Sequence, residues 1–177
     1  MNTSSRLLAG ILLAGTLLVS TADATAAAVA DAPAAARFYP LLGTWKGQGQ
    51  FAEAGQAPTP LKLALSCSKV ASGWAVSCDM TASNDSMTIS ESDLMGVDPV
   101  TGTAHWYAVT NQGETHDHVA VWSGDKSMKA HYAWTQDGRK MEEHIAFVFP
   151  GRNSIAFRSV VTQDGKVAAT FSAKLTQ

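Results

Sequence analysis

The sequence predicts an all-β protein, an antiparallel up-and-down barrel of about ten strands. Three observations predict it. From Thr44 onward apolar and polar residues alternate in segments of roughly eight to ten, the period of half-buried strands. The segments are separated by Asp98-Pro99-Val100-Thr101-Gly102, Asn111-Gln112-Gly113, Gly124-Asp125, Asp137-Gly138, Gly151-Arg152-Asn153 and Asp164-Gly165. Each break holds a residue tolerant of the positive φ that tight hairpins need. No helical period follows Leu42, so crossover helices have no room and the strands form a meander. A meander that long closes or packs as a sandwich, because an open sheet leaves unpaired edges; the barrel is the preferred reading.

Ahead of the strands, Arg6 precedes an apolar run from Leu7 to Val19, and Ala22-Asp23-Ala24 supplies small residues for cleavage. A basic start, a short apolar run and a small-residue exit make residues 1–24 a signal peptide. The run is too short for a membrane span of about 20 residues. The expectation is a periplasmic or extracellular protein with no transmembrane segment after cleavage. Residues 25–36 form an Ala-rich leader, either a short helix or an unstructured lead-in, and 37–177 form one domain, large enough to bury a core. The formal charge is −2, with Lys and Arg scattered singly, so nucleic acid and anionic membrane surfaces are poor partners.

Along the strands, Leu61, Leu63 and Leu65 alternate with polar or small residues, and Val167, Ala169, Phe171, Ala173 and Leu175 do the same near the end. If Ser72-Gly73 is the centre of a hairpin turn, Cys67 stands opposite Cys78, at a Cα spacing that a disulfide accepts. That register puts Leu65, Trp74, Val76 and Met80 on the cysteine face, so the bridge points inward. Export makes it chemically permissible, and two separate buried thiols are the alternative.

No nucleophile elbow, P-loop, dinucleotide fingerprint or zinc-protease motif is present, so no catalytic residue and no cofactor are assigned. The histidines carry the first candidate site. A Gly124-Asp125 turn sets His118 opposite His131, and an Asp137-Gly138 turn sets His131 opposite His144. His116, His118, His131 and His144 then share one face of three strands. An H-x-H pair with a histidine on the next strand is the layout of a zinc site with an open position. The blander reading is a solvent-facing polar ladder, because Val119, Val121, Met128, Ala130, Ile145 and Phe147 form the opposite, apolar face. The second candidate is an aromatic interior: Trp74, Trp106, Tyr132, Trp134, Phe147, Phe157 and Phe171. These residues either fill the core or, in a barrel of about ten strands, wall a pocket for a small lipophilic molecule. Arg158 points into that space or, the preferred reading, outward beside Ala156.

The first strand reads Leu42-Gly43-Thr44-Trp45-Lys46-Gly47-Gln48-Gly49. This G-x-W resembles the lipocalin-like (calycin) barrels, and the G-x-W-x-G-x-G form is similar to nitrobindin-type barrels. With Gly96-Val97-Asp98-Pro99 and the later W-S-G and D-G turns, the resemblance is closest to the bacterial domain of unknown function 1579 family. It implies a barrel with a possible ligand cavity, and Trp45 as the plug of one end. It carries over no haem ligand, since the nitrobindin ligand is a histidine near the C-terminus and none follows His144 here. The reading that results is an exported binder of a small apolar ligand. A histidine-based metal enzyme or metal-binding protein and an envelope interaction protein are the alternatives.

Overall fold

The computed structural model describes residues 34–177. The expected signal peptide and most of the Ala-rich leader lie outside the described residues. A short 3-10 helix, Ala35–Leu41, leads into ten strands: β1 (Gly43–Glu53), β2 (Thr59–Val70), β3 (Ala75–Ser83), β4 (Thr88–Val97), β5 (Ala104–Thr110), β6 (Thr115–Trp122), β7 (Ser127–Gln136), β8 (Arg139–Gly151), β9 (Ser154–Gln163) and β10 (Lys166–Thr176). Each strand pairs antiparallel with its chain neighbours, and β1 pairs with β10, so the sheet closes as a barrel. The alternation read from the sequence is the reason: inner faces carry Leu61, Leu63 and Leu65, or Ile145, Phe147 and Phe149, all buried, while the residues between them face solvent.

Closure depends on two glycines. A Cβ on Gly47 would stand 1.9 Å from the carbonyl oxygen of Lys174, and one on Gly49 2.5 Å from that of Ser172. Their bare backbones let β1 bend onto β10 at the seam.

One end of the barrel is stoppered. Phe38 and Leu41 of the 3-10 helix are buried over it, and Trp45 is 1% exposed beneath them. The Trp45 Nε1 donates to the Leu41 carbonyl at 2.7 Å. Tyr39 Oη donates to Gly73 O at 3.2 Å, and Phe38 meets Trp122 edge-on at 5.7 Å. The C-terminal residue arrives at this same end, where Gln177 Nε2 donates to Leu42 O at 2.7 Å. At the opposite end, the mouth, five connections link β1–β2, β3–β4, β5–β6, β7–β8 and β9–β10.

The β2–β3 hairpin has the expected register: Cys67 faces Cys78, and the two form a disulfide with Cα atoms 4.1 Å apart. Closing so short a loop contributes about 3 kcal/mol in the chain-entropy account. Trp74 departs from expectation. The loop Ala71–Trp74 is wider than a two-residue turn, Trp74 belongs to it rather than to β3, and its side chain is 45% exposed.

The β6–β7 register also corrects the sequence reading. Val119, not His118, faces His131. Ser123 N donates to Ser127 O at 2.9 Å, so three residues, Gly124 to Lys126, make the loop instead of two. The extra residue inverts β6. His116 and His118 turn inward with Ala120, while Val119 and Val121 face solvent. The β7–β8 register is as read, with His131 opposite His144, but on the outer surface. Among the described residues, no helix is long and apolar enough to cross a membrane.

Candidate functional site

The barrel interior holds a cavity of about 460 Å³. Its floor is Leu41, Leu65, Met95 and Leu175 at the stoppered end, and its rim is Glu53, Gln112 and Glu114 at the mouth. Four aromatic rings run round one wall: Trp106 lies 5.2 Å from Phe147, Phe147 4.8 Å from Phe157, and Phe157 5.4 Å from Phe171.

One side of this apolar space is polar. Five strands each supply part of it: Glu91 and Asp93 from β4, Trp106 from β5, His116 and His118 from β6, Glu143 from β8 and Ser159 from β9. Glu143 is the hub. Its Oε2 lies 2.9 Å from His118 Nε2 and 3.6 Å from His116 Nδ1, and Ser159 Oγ donates to its Oε1 at 2.5 Å. The other ring nitrogen of His118, Nδ1, lies 3.3 Å from the Trp106 carbonyl oxygen. The Trp106 Nε1 in turn donates to Asp93 at 2.6 Å.

The carboxyls are pushed apart in acidity. Burial opposes ionisation of Glu143, but hydrogen bonds from His116, His118 and Ser159 outweigh it and hold the group well below the ordinary carboxylate range. The hydrogen bond to Glu143 raises the pKa of His116 against the effect of burial. Glu91 goes the other way. Burial first, then the charge and hydrogen bond of Asp93 and the charge of Glu143, outweigh the opposing influence of His118 and raise it to about 9. Asp93 is also raised, by burial, although the hydrogen bonds from Glu91 and Trp106 counter this. Glu91 is therefore the acid that keeps a proton and donates it to Asp93.

This has a measurable consequence. An unfolded chain loses the Glu91 proton above its ordinary value of 4.5, while the native barrel keeps it to about 9. In that window the native state binds more protons, so this group makes stability fall as pH rises. Glu91→Gln should stabilise the protein at pH 8 by about 1–2 kcal/mol, or roughly 5 °C in Tm. The gain should vanish towards pH 4. Thermal melts of both proteins in chelator-treated buffer across this range check it; an equal gain at both ends would contradict the assignment.

The residues read from the sequence fall into four groups. Trp106, Phe147, Phe157 and Phe171 line the cavity, together with His116 and His118. Tyr132 and Trp134 are half-buried beside it, both stacked on His116 with centroids 4.8 and 5.5 Å away. His131 and His144 lie outside with ring centroids 4.7 Å apart, Arg158 and Trp74 are exposed, and Trp45 sits in the stopper. The inverted β6 thus removes His131 and His144 from the proposed metal set and brings Glu143 into it. His116, His118 and Glu143 offer ligand atoms all within 4.8 Å of one another.

Glu91, Asp93, Glu143 and Ser159 were missed. Their signal was parity: Glu91 and Asp93 share a strand face with Ile89 and Met95, and Glu143 shares one with Met141 and Ile145. Acids in the apolar register of a strand mark an interior polar site.

A closed, stoppered, ten-stranded meander with an internal cavity is a lipocalin-like barrel. No family model matches the sequence, and no curated protein matches it. Solved structures do match in fold. Rv2717c from M. tuberculosis superposes with a TM-score of 0.62 at 13% identity, over 84% of this chain and 99% of that one. An S-type phycobiliprotein lyase from Guillardia theta gives 0.52 at 12% identity, over 78% and 88%. A protein of unknown function of the DUF3598 family from Nostoc punctiforme gives 0.52 at 12% identity, over 79% of this chain and 48% of that one. At these identities the likeness shows the shared barrel alone. None of these comparisons supports the narrower resemblance to the domain of unknown function 1579 family, read from the first-strand motif, Gly96-Val97-Asp98-Pro99 and the later turns.

Proposed function

We propose that this chain is an exported, non-enzymatic binder of one small, largely apolar molecule, held in the barrel with a single hydrogen-bonding end at the Glu91–His116–Glu143 side. The observation that carries this is the cavity: about 460 Å³, within the range of small-molecule sites, with apolar walls and one convergent polar patch. The charges on that patch largely offset one another. Glu91 is neutral, and Glu143 is already engaged by His116, His118 and Ser159, so a hydroxyl, carbonyl or amide suits the patch better than a charged head. Export is supported by the basic and apolar start of the sequence and by the disulfide. The same barrel fold serves a phycobiliprotein lyase.

The test is titration with a neutral apolar fluorophore, N-phenyl-1-naphthylamine, alongside native mass spectrometry of the protein as purified. Wild type should bind the probe saturably with one site per chain. Ile89→Trp, which puts a larger side chain into the cavity near its mouth, should weaken binding about tenfold or more by taking space from the ligand while the protein stays folded by circular dichroism. No saturable binding, or equal binding by the folded variant, would sink the proposal.

A further inference from the structure

We infer that His116 Nδ1, His118 Nε2 and Glu143 Oε2 form a binding site for one divalent first-row transition metal, zinc being the reference ion, with an open coordination position facing the cavity. The inference does not depend on which small molecule, if any, the barrel carries.

Donor type comes first. Two imidazoles and one carboxylate make a ligand set used for zinc and for other borderline divalent ions, and three protein ligands leave room for a fourth. Spacing comes second. Ligands bound tetrahedrally at 2.0 Å lie about 3.3 Å apart. Here the two nitrogen-to-oxygen distances are 2.9 and 3.6 Å, and all three donors lie within 4.8 Å. Small side-chain rotations bring all three to bonding distance of one point without moving a strand.

The supporting contacts are the stronger argument. A metal-ligating histidine usually has its second nitrogen fixed by a carbonyl or carboxylate, and a ligating carboxylate has its second oxygen hydrogen-bonded. Both arrangements occur here. His118 turns Nδ1 to the Trp106 carbonyl, leaving Nε2 toward Glu143. Ser159 holds Glu143 Oε1, leaving Oε2 toward the two rings. The ring of His116 is clamped by stacking on Tyr132 and Trp134. His118 is 2% exposed, whereas His116 stands nearer the mouth and is 21% exposed in its side chain; metal therefore has a path in. Glu91 and Asp93 line the same cavity and add polar groups beside the three donors.

The experiment is equilibrium binding of zinc and cobalt chlorides to the purified chain after chelator treatment, read by calorimetry, by metal analysis after dialysis and by the visible absorption of cobalt. Wild type should take up one ion per chain at micromolar or tighter affinity. His116→Gln and Glu143→Gln should each weaken it by about 100-fold or more, and Ser159→Ala by about tenfold. The double variant His131→Ala/His144→Ala, which removes the outer pair, should bind as wild type does. His116→Gln is the decisive variant because its side chain is partly exposed and its loss leaves the core packed; circular dichroism confirms its fold. Wild type without saturable uptake, undiminished affinity in folded His116→Gln, or uptake lost only with His131 and His144 would each overturn the inference. Probe binding in the cavity is measured separately, so failure of the metal site and failure of the small-molecule reading remain distinguishable.

Discussion

Trp45→Ala should lower the free energy of unfolding by about 3–5 kcal/mol. The side chain is 1% exposed and sits between the core and the 3-10 helix, so truncation leaves a void that the rigid strand ends fill only in part. It also removes the donor to the Leu41 carbonyl; a buried acceptor left unpaired costs a further 1–3 kcal/mol or so unless water reaches it. Trp45→Phe separates the two effects, because it keeps most of the packing and loses only the hydrogen bond. Urea unfolding followed by circular dichroism measures both. The expected order is wild type, then Phe, then Ala, with closely similar m-values. A shift below about 1 kcal/mol for Trp45→Ala would mean that the stopper is held by other contacts.

Gly47→Ala should be nearly as costly, about 3 kcal/mol, at the upper end of overpacking penalties. The added methyl would meet the Lys174 carbonyl oxygen at 1.9 Å and the backbone of Leu175 at 2.9 Å. Those atoms belong to the paired strand, not to a flexible side chain, so β1 and β10 must part. Gly96→Ala is the control, since its nearest neighbour would be 3.6 Å away. Hydrogen exchange of the β1 and β10 amides locates the damage. Faster exchange confined to that seam is expected for Gly47→Ala; unchanged protection would show that closure does not depend on the bare backbone.

Most of the architecture was legible in the sequence because strand parity and turn residues act locally. Leu61, Leu63 and Leu65 had to share a face, and Ser72-Gly73 fixed Cys67 against Cys78. The failures came where one residue of loop length decides the outcome. Ser123-Gly124-Asp125-Lys126 accommodates a two- or a three-residue loop, and only tertiary packing chooses. The choice made here buries Ala120 and turns Trp122 onto Phe149, with ring centroids 5.9 Å apart, and it leaves Val119 and Val121 exposed. The exposure of two valines is offset by the Glu143 contacts that His116 and His118 gain inside.

The site itself was half legible. The H-x-H pair stood out by residue type, whereas its acidic partner was concealed in Glu142-Glu143, where one carboxylate faces solvent and the next faces the cavity. Only the parity set by Met141 and Ile145 separates them. Trp74 misled for a related reason: an aromatic beside a turn was counted as strand, and the wider loop placed it outside.

The first described residue, Ala34, and the last, Gln177, both lie at the stoppered end, with the mouth about 30 Å away along the strands. An affinity handle or fluorophore fused behind Gln177 therefore stays clear of traffic through the mouth. Such a fusion could be immobilised and loaded from solution with the cavity's access unchanged.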